Sequence, residues 1–64
     1  MAAEDGGRDV YFEFTAIGRT VKVSAIDSAT GLEVSVVGPA SASQADLERL
    51  ALQKLKAQLG RRVP

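Results

Sequence analysis

Hydrophobic and polar residues alternate along the first half of the chain, which is the period expected of strands with one buried face. The alternation starts at Val10 and resumes after Gly18-Arg19. Glycine first in a two-residue junction suits a type II′ hairpin turn, because that position has a positive φ. The inner face of the hairpin carries one apolar set: Val10, Phe12, Phe14, Ala16, Val21, Val23 and Ala25. The pattern predicts two antiparallel strands, residues 10–17 and 20–26, with Phe14 opposite Val23.

A third alternating run, Leu32–Val37, follows the turn signal Asp27–Gly31. Asp27 favours the start of a turn, and Gly31 can adopt a left-handed conformation just before the next strand. Gly38-Pro39 ends the run, since proline has no N–H group to donate. The inward residues of this run, Leu32, Val34 and Val36, continue the apolar face of the hairpin. The three runs therefore predict an antiparallel meander.

The segment from Ser43 to Gly60 has the period of an amphipathic helix. Ser43 is a good N-cap residue, and Asp46 stands three positions later, where its charge suits the positive end of the helix dipole. Gly60 is expected to end the helix in the left-handed C′ conformation. The apolar ridge of this helix consists of Leu47, Ala51, Leu55 and Leu59, with Leu52 beside it. We expect the ridge to pack on the apolar face of the meander.

Together these elements predict an α+β fold, a three-stranded antiparallel meander followed by one C-terminal helix packed on one face (β-β-β-α). Residues 10–60 would form a single domain. Residues 1–9 are predicted to be a disordered N-terminal tail, because they are small, polar and rich in glycine. Residues 61–64 would be a short C-terminal tail.

Composition restricts the chemistry of this 64-residue chain, which contains no cysteine and no histidine. Disulfides are excluded, and the usual ligand sets for zinc, haem and iron–sulfur clusters are missing. The Ser–His and Cys–His nucleophile pairs of hydrolases are also absent. Glu13 and Glu33 fall on the outer face of the strands, where we interpret them as solubilising charges rather than paired catalytic carboxylates. We therefore expect no enzyme activity, no metal and no cofactor.

The charges of the chain balance, with eight Lys and Arg against eight Asp and Glu. This is not the basic excess of a nucleic-acid-binding domain. Arg61 and Arg62 are a candidate phosphate contact, although cations are also favoured at a helix C-terminus and we prefer that interpretation. No apolar run reaches the ~18 residues of a membrane span, and the N-terminal residues do not resemble a secretory signal. These features predict a cytoplasmic protein.

The predicted sheet leaves one face and its edges uncovered. The candidate interaction surface consists of exposed apolar residues on that outer face and on the helix: Tyr11, Ile17, Ile26, Val37 and Leu50. The strand Leu32–Val37 carries one charge and no proline, so it is weakly protected against pairing with another strand. A single core of this size rarely supplies more than about 3–5 kcal/mol, so small folds usually add disulfides, a metal or a partner chain. Because the chain has no cysteine and no histidine, a partner chain is the expected source of additional stability.

These features predict a non-catalytic protein-interaction module that self-associates as a homodimer. Edge pairing, packing of the outer faces, and exchange of a strand or helix all remain open as modes of dimerisation. An unidentified protein partner is compatible with the same surface. The alternative function is a weak nucleic-acid-binding accessory protein that uses the basic end of the helix, Arg61 and Arg62.

Several short segments of the chain resemble one protein family. They are Phe12-Glu13-Phe14, the run from Val21 to Asp27, the segment from Gly31 to Ala40, Asp46-Leu47-Glu48 and Lys54-Leu55. Between Phe12 and Leu59 the chain is similar to a family of uncharacterised alphaproteobacterial proteins of about this length. That family is a domain of unknown function. The resemblance implies a bacterial, cytoplasmic origin. It implies no activity and no functional residue.

Overall fold

The structure, a computed structural model, describes residues 2–5 and 8–62 of the chain, with side chains for residues 9–61. Its elements in chain order are β1 (Ala2–Asp5), β2 (Arg8–Ile17), β3 (Thr20–Asp27), β4 (Glu33–Pro39) and α1 (Gln44–Arg62). The strands form one antiparallel sheet in the order β1-β2-β3-β4. Helix α1 packs against β3 and β4 on one face of this sheet. The predicted β-β-β-α unit is confirmed as β2, β3, β4 and α1.

The N-terminal edge of the sheet differs from the sequence prediction. In place of a disordered tail over residues 1–9, the structure has Ala2–Asp5 as β1 and begins β2 at Arg8. Strand β1 pairs antiparallel with β2, from Ala2 opposite Tyr11 to Asp5 opposite Arg8. Backbone groups make this pairing and need no alternation of apolar side chains, so the pattern gave no signal for it. Met1, Gly6 and Gly7 lie outside the described residues.

The β2–β3 hairpin has the predicted turn and the predicted register. Gly18 has a φ of 59°, and no described residue other than glycine has a positive φ. A positive φ at the first central position alone is the type II′ arrangement. Phe14 faces Val23, and Phe12 faces Ala25. The tight turn therefore fixes which side chains reach the core.

The turn between β3 and β4 is organised by the side chain of Asp27. The backbone N–H and the hydroxyl group of Thr30 both donate to Asp27 Oδ2, at 3.0 and 2.7 Å. The Gly31 N–H donates to the carbonyl oxygen of Asp27 at 2.8 Å, and Gly31 has a φ of 75°. The predicted turn is confirmed. Asp27 is also completely buried, which a turn signal in the sequence does not indicate.

Helix α1 begins as predicted but ends later. Ser43 is the N-cap, because Ser43 Oγ accepts from the Asp46 N–H at 3.3 Å and the Ser43 carbonyl accepts from the Leu47 N–H at 3.1 Å. Gly60, however, lies inside the helix and has no positive φ, and the helix continues to Arg62. An interior glycine costs about 1 kcal/mol relative to alanine, whereas arginine has a high helix propensity and suits a C-terminal turn. Residues 61 and 62 of the predicted tail therefore belong to the helix, and residues 63–64 lie outside the described residues.

The core lies between α1 and the inner face of the sheet. Its buried members all belong to the predicted apolar sets of the strands and the helix: Val10, Phe12, Val23, Ala25, Val34, Leu47, Ala51 and Leu55. Of the other strand residues in those sets, Ala16 is exposed and four are partly buried: Phe14, Val21, Leu32 and Val36. Leu52 and Leu59 pack against this cluster as partly buried residues. The helix approaches the sheet closely at Gly38, where an added Cβ would lie only 2.6 Å from Leu47 Cδ2. Gly38 therefore sets the height and position of the first turns of α1 over β4.

Candidate interaction surface

The outer face of the sheet does not gather its apolar residues into one patch. Tyr11 and Ile26 are cross-strand partners, but Ile17 lies six residues further along β2, about 20 Å away. Val37 lies on β4, opposite Lys22. Tyr11, Ile17 and Val37 are exposed, whereas Ile26 is half-buried. Of the four predicted outer-face residues, the structure brings together only Tyr11 and Ile26.

Polar side chains occupy the middle of the outer face. The hydroxyl groups of Ser24 and Ser35 lie 2.9 Å apart in a hydrogen bond across β3 and β4. Glu13, on β2, faces Ser24 of β3. Glu33, on β4, faces Ile26 of β3, two residues further along that strand. The strand spacing and residue rise put the Cα atoms of these two glutamates about 12 Å apart. They are not a carboxylate pair. The row of Glu13, Ser24 and Ser35 separates Tyr11 and Ile26 from Ile17 and Val37 at the other end of the face.

The outer edge of β4 carries backbone groups that no strand of the described sheet pairs. The Ala40 N–H donates to the Arg19 carbonyl at 2.8 Å, so the pair Thr20↔Pro39 is of the non-hydrogen-bonded kind. Such pairs alternate with hydrogen-bonded ones along an antiparallel ladder. The residues whose N–H and C=O groups point away from β3 are therefore Glu33, Ser35 and Val37. We refer to these groups as the β4 edge.

A lysine of the helix covers part of the β4 edge. Lys54 Nζ donates to the Ser35 carbonyl oxygen at 2.8 Å, so this side chain reaches over the rim of the sheet. Leu50 and Ala57 lie four residues before and three residues after Lys54, which places them on the same side of the helix. Leu50 is 51% exposed and Val37 is 65% exposed. This flank of α1 therefore overhangs the β4 edge.

Two contacts fix how α1 and β4 are aligned. Leu47 lies over Gly38, and Lys54 reaches Ser35. Seven helix residues rise about 10.5 Å, which matches the roughly 10 Å spanned by three strand residues. Helix and strand consequently run side by side in opposite directions. Leu50 stands at the level of Val37, so the edge has one exposed apolar side chain on each side of the sheet.

Among the described side chains, the basic residues do not gather at the end of the helix. Arg61 is exposed in the last turns of α1, and the Arg62 side chain lies outside the described residues. Arg49 forms an exposed ion pair with Asp46 at 3.4 Å, and such pairs contribute about 0–1 kcal/mol. Of the two arginines predicted to contact phosphate, only Arg61 has a described side chain.

A separate groove of about 430 Å³ lies at the hairpin end of the sheet, beside the start of α1. Phe14, Val21 and Leu47 form its apolar walls, and Gln44 is the only polar side chain that lines it. Among the described residues, no group of three or more acidic, cysteine or histidine side chains is close enough to hold a metal ion. No helix in the same part of the chain is long and apolar enough to cross a membrane.

Comparison with known proteins identifies a family but no activity. A family profile described as "Domain of unknown function (DUF6898)" matches residues 7–62 of the 64-residue chain. No curated protein and no solved structure matches the chain. The resemblance found in the sequence is thereby confirmed at the level of the family, while an alphaproteobacterial origin stays a prediction.

Proposed function

Because the chain belongs to this family of domains of unknown function, we propose its function from its own surface: a non-catalytic protein-interaction module that self-associates as a homodimer in the bacterial cytoplasm. One observation carries the proposal. Val37 and Leu50 are exposed apolar side chains, 65% and 51% accessible, and both flank the unpaired β4 edge. An open strand edge with apolar flanks offers hydrogen bonds and apolar area at the same place.

The physical gain from covering this surface is substantial for a small domain. Full burial of a Val or Leu side chain contributes about 1.5–3 kcal/mol. In a twofold dimer each residue occurs twice at the interface, so Val37 and Leu50 supply four such side chains. A core of this size supplies only about 3–5 kcal/mol alone. Because Val37 and Leu50 are 65% and 51% exposed, covering them would add roughly half of that gain, of the same order as the stability of one copy before the cost of association is subtracted.

The nucleic-acid alternative has less support from the positions of the cations. Lys54 already donates to the Ser35 carbonyl, and Arg49 is paired with Asp46. Arg61 remains as the described cation at the end of α1. A phosphate-binding surface needs several cations on one face, because each neutralised phosphate adds to affinity.

Sedimentation equilibrium of the unmodified chain, over a dilution series and at two salt concentrations, tests the proposal. We expect the mass of a dimer at high protein concentration and a reversible shift towards the monomer on dilution. A monomer at every concentration and both salt concentrations would overturn self-association. A labelled oligonucleotide added to the same cells should remain unbound; binding that weakens steeply with salt would favour the alternative.

A further inference from the structure

We infer that two copies of the chain meet edge to edge at β4, and that Lys54 limits how tightly they do so. This inference rests on the proposed function, since it names the surface through which the homodimer forms. The β4 edge and the flank of α1 above it are the parts of the described surface where unpaired backbone groups and exposed apolar side chains coincide. The outer face lacks such a patch, because polar side chains separate its apolar residues.

The backbone of the β4 edge is complementary to itself. When a twofold axis passes beside Ser35, that residue faces Ser35 of the second copy and Glu33 faces Val37 of the second copy. In this antiparallel register every outward N–H group of the β4 edge meets an outward C=O group. Pro39, whose nitrogen cannot donate, lies just beyond the paired segment. The two four-stranded sheets would become one continuous sheet.

The helices fit the same arrangement. Adjacent strands lie about 4.8 Å apart, and α1 lies over β3 and β4, about half a strand spacing inside the edge. The two helix axes would then be about 10 Å apart, the distance at which helices pack. Leu50 would contact Ala57 of the second copy, given the alignment of α1 along β4. Two exposed apolar positions are thus covered by one contact.

Charges at the ends of the helices are also complementary. In the Ser35-centred register, Arg61 lies at the level of Asp46 of the second copy, and the twofold axis repeats this pair at the other end. Both side chains are exposed in the single chain. Opposite charges facing each other across an interface favour this register over shifted ones.

Lys54 opposes the pairing at the centre of the interface. Its ammonium group donates a hydrogen bond to the Ser35 carbonyl oxygen. This hydrogen bond must break before the N–H group of a second strand can bind there. Close to the twofold axis it then faces Lys54 of the second copy, and like charges repel. Lysine at a strand edge is a recognised protection against edge-to-edge association. Lys54 therefore keeps the dimer weak and reversible.

Substitutions at two positions test the inference through the dimer dissociation constant. Val37→Pro removes an outward N–H group but leaves the ladder with β3 intact, because that N–H points away from β3. Val37→Thr is its control, since it retains the N–H. Lys54→Met removes the positive charge and the hydrogen bond to the Ser35 carbonyl oxygen. Its control is Lys56→Met, which makes the same change two residues along the helix.

We expect Val37→Pro to raise the dissociation constant at least about tenfold and more than Val37→Thr does. Lys54→Met should lower it about tenfold, whereas Lys56→Met should leave it within about twofold. Circular dichroism and thermal unfolding at low concentration check that each variant is folded. If Val37→Pro does not fold, the comparison of Lys54→Met with Lys56→Met still decides.

The outcomes separate this inference from the proposed function. If the unmodified chain dimerises and Lys54→Met has no effect on the dissociation constant, the β4 edge is not the dimer interface, while the proposed self-association stands. If the unmodified chain is monomeric and Lys54→Met dimerises, the edge is competent to pair but the proposed homodimer is wrong. A monomer for both proteins would overturn both proposals.

Discussion

Substitution of Gly38 by alanine should destabilise the domain, because Leu47 already occupies the space that the new methyl group needs. A Cβ built at Gly38 would lie 2.6 Å from Leu47 Cδ2 and 3.3 Å from Leu47 Cδ1. Non-bonded carbon atoms pack best at about 3.5–4.0 Å. Leu47 is itself a buried core residue, so turning its side chain aside, towards the groove that it lines, would give up core contacts. Either that side chain or the start of α1 must shift.

The expected change in the free energy of unfolding follows from two opposing effects. Inserting a methyl group into a well-packed core costs about 1–3 kcal/mol. Replacing glycine by alanine restricts the unfolded chain and returns about 0.4–1 kcal/mol where the backbone conformation is ordinary, as at Gly38, whose φ is not positive. The net loss for Gly38→Ala is about 1–2 kcal/mol. In a domain of this size each kcal/mol lowers Tm by about 4–8 °C.

Urea unfolding of a double-mutant cycle with Leu47→Val checks the cause as well as the size of this effect. Valine lacks the two δ-carbons that the new methyl group would meet, so Gly38→Ala should cost less in the Leu47→Val background, with a coupling of about 1 kcal/mol. All four proteins are compared at one protein concentration, since self-association adds stability. Additive effects, or a Gly38→Ala protein as stable as its parent, would refute the reasoning.

Three further substitutions test local interactions by urea unfolding. Thr30→Val should cost about 1–3 kcal/mol, because it removes a hydroxyl group that donates to the buried Asp27 carboxyl group at 2.7 Å; Thr30→Ser should cost less. Ser43→Ala should cost about 1 kcal/mol through loss of the N-cap, and Ser43→Asp should restore it. Gly18→Ala should cost about 1–2 kcal/mol, since Gly18 has a φ of 59°. A variant that stays within about 0.3 kcal/mol of its parent would contradict the interaction assigned to it.

The parts of the fold that short-range pattern determines were predictable from the sequence. Strict alternation from Val10, together with Gly18 at the turn, fixed the register of the hairpin, and Phe14 does face Val23. Ser43 marked the start of α1 because an N-cap acts within one turn. The apolar ridge of the helix identified Leu47 and Leu55 as core residues, and both are buried.

The parts that depend on distant contacts were not predictable in the same way. Strand β1 pairs with β2 along its backbone, and its sequence lacks the alternation of a half-buried strand. Gly60 was expected to end the helix, but a single glycine costs too little to stop it. The contact between Lys54 and Ser35 joins residues 19 positions apart, so only the packed fold reveals that the helix covers the β4 edge.

Amide hydrogen exchange measured residue by residue, over a series of protein concentrations, tests the central claim most directly. In the single chain the N–H groups of Glu33, Ser35 and Val37 point outwards, so they should exchange quickly at low concentration. Pairing across the β4 edge should slow all three as the concentration rises, whereas the amide of Val36, which faces β3, should be protected throughout. Fast exchange of all three edge amides at concentrations where the chain sediments as a dimer would contradict edge-to-edge assembly.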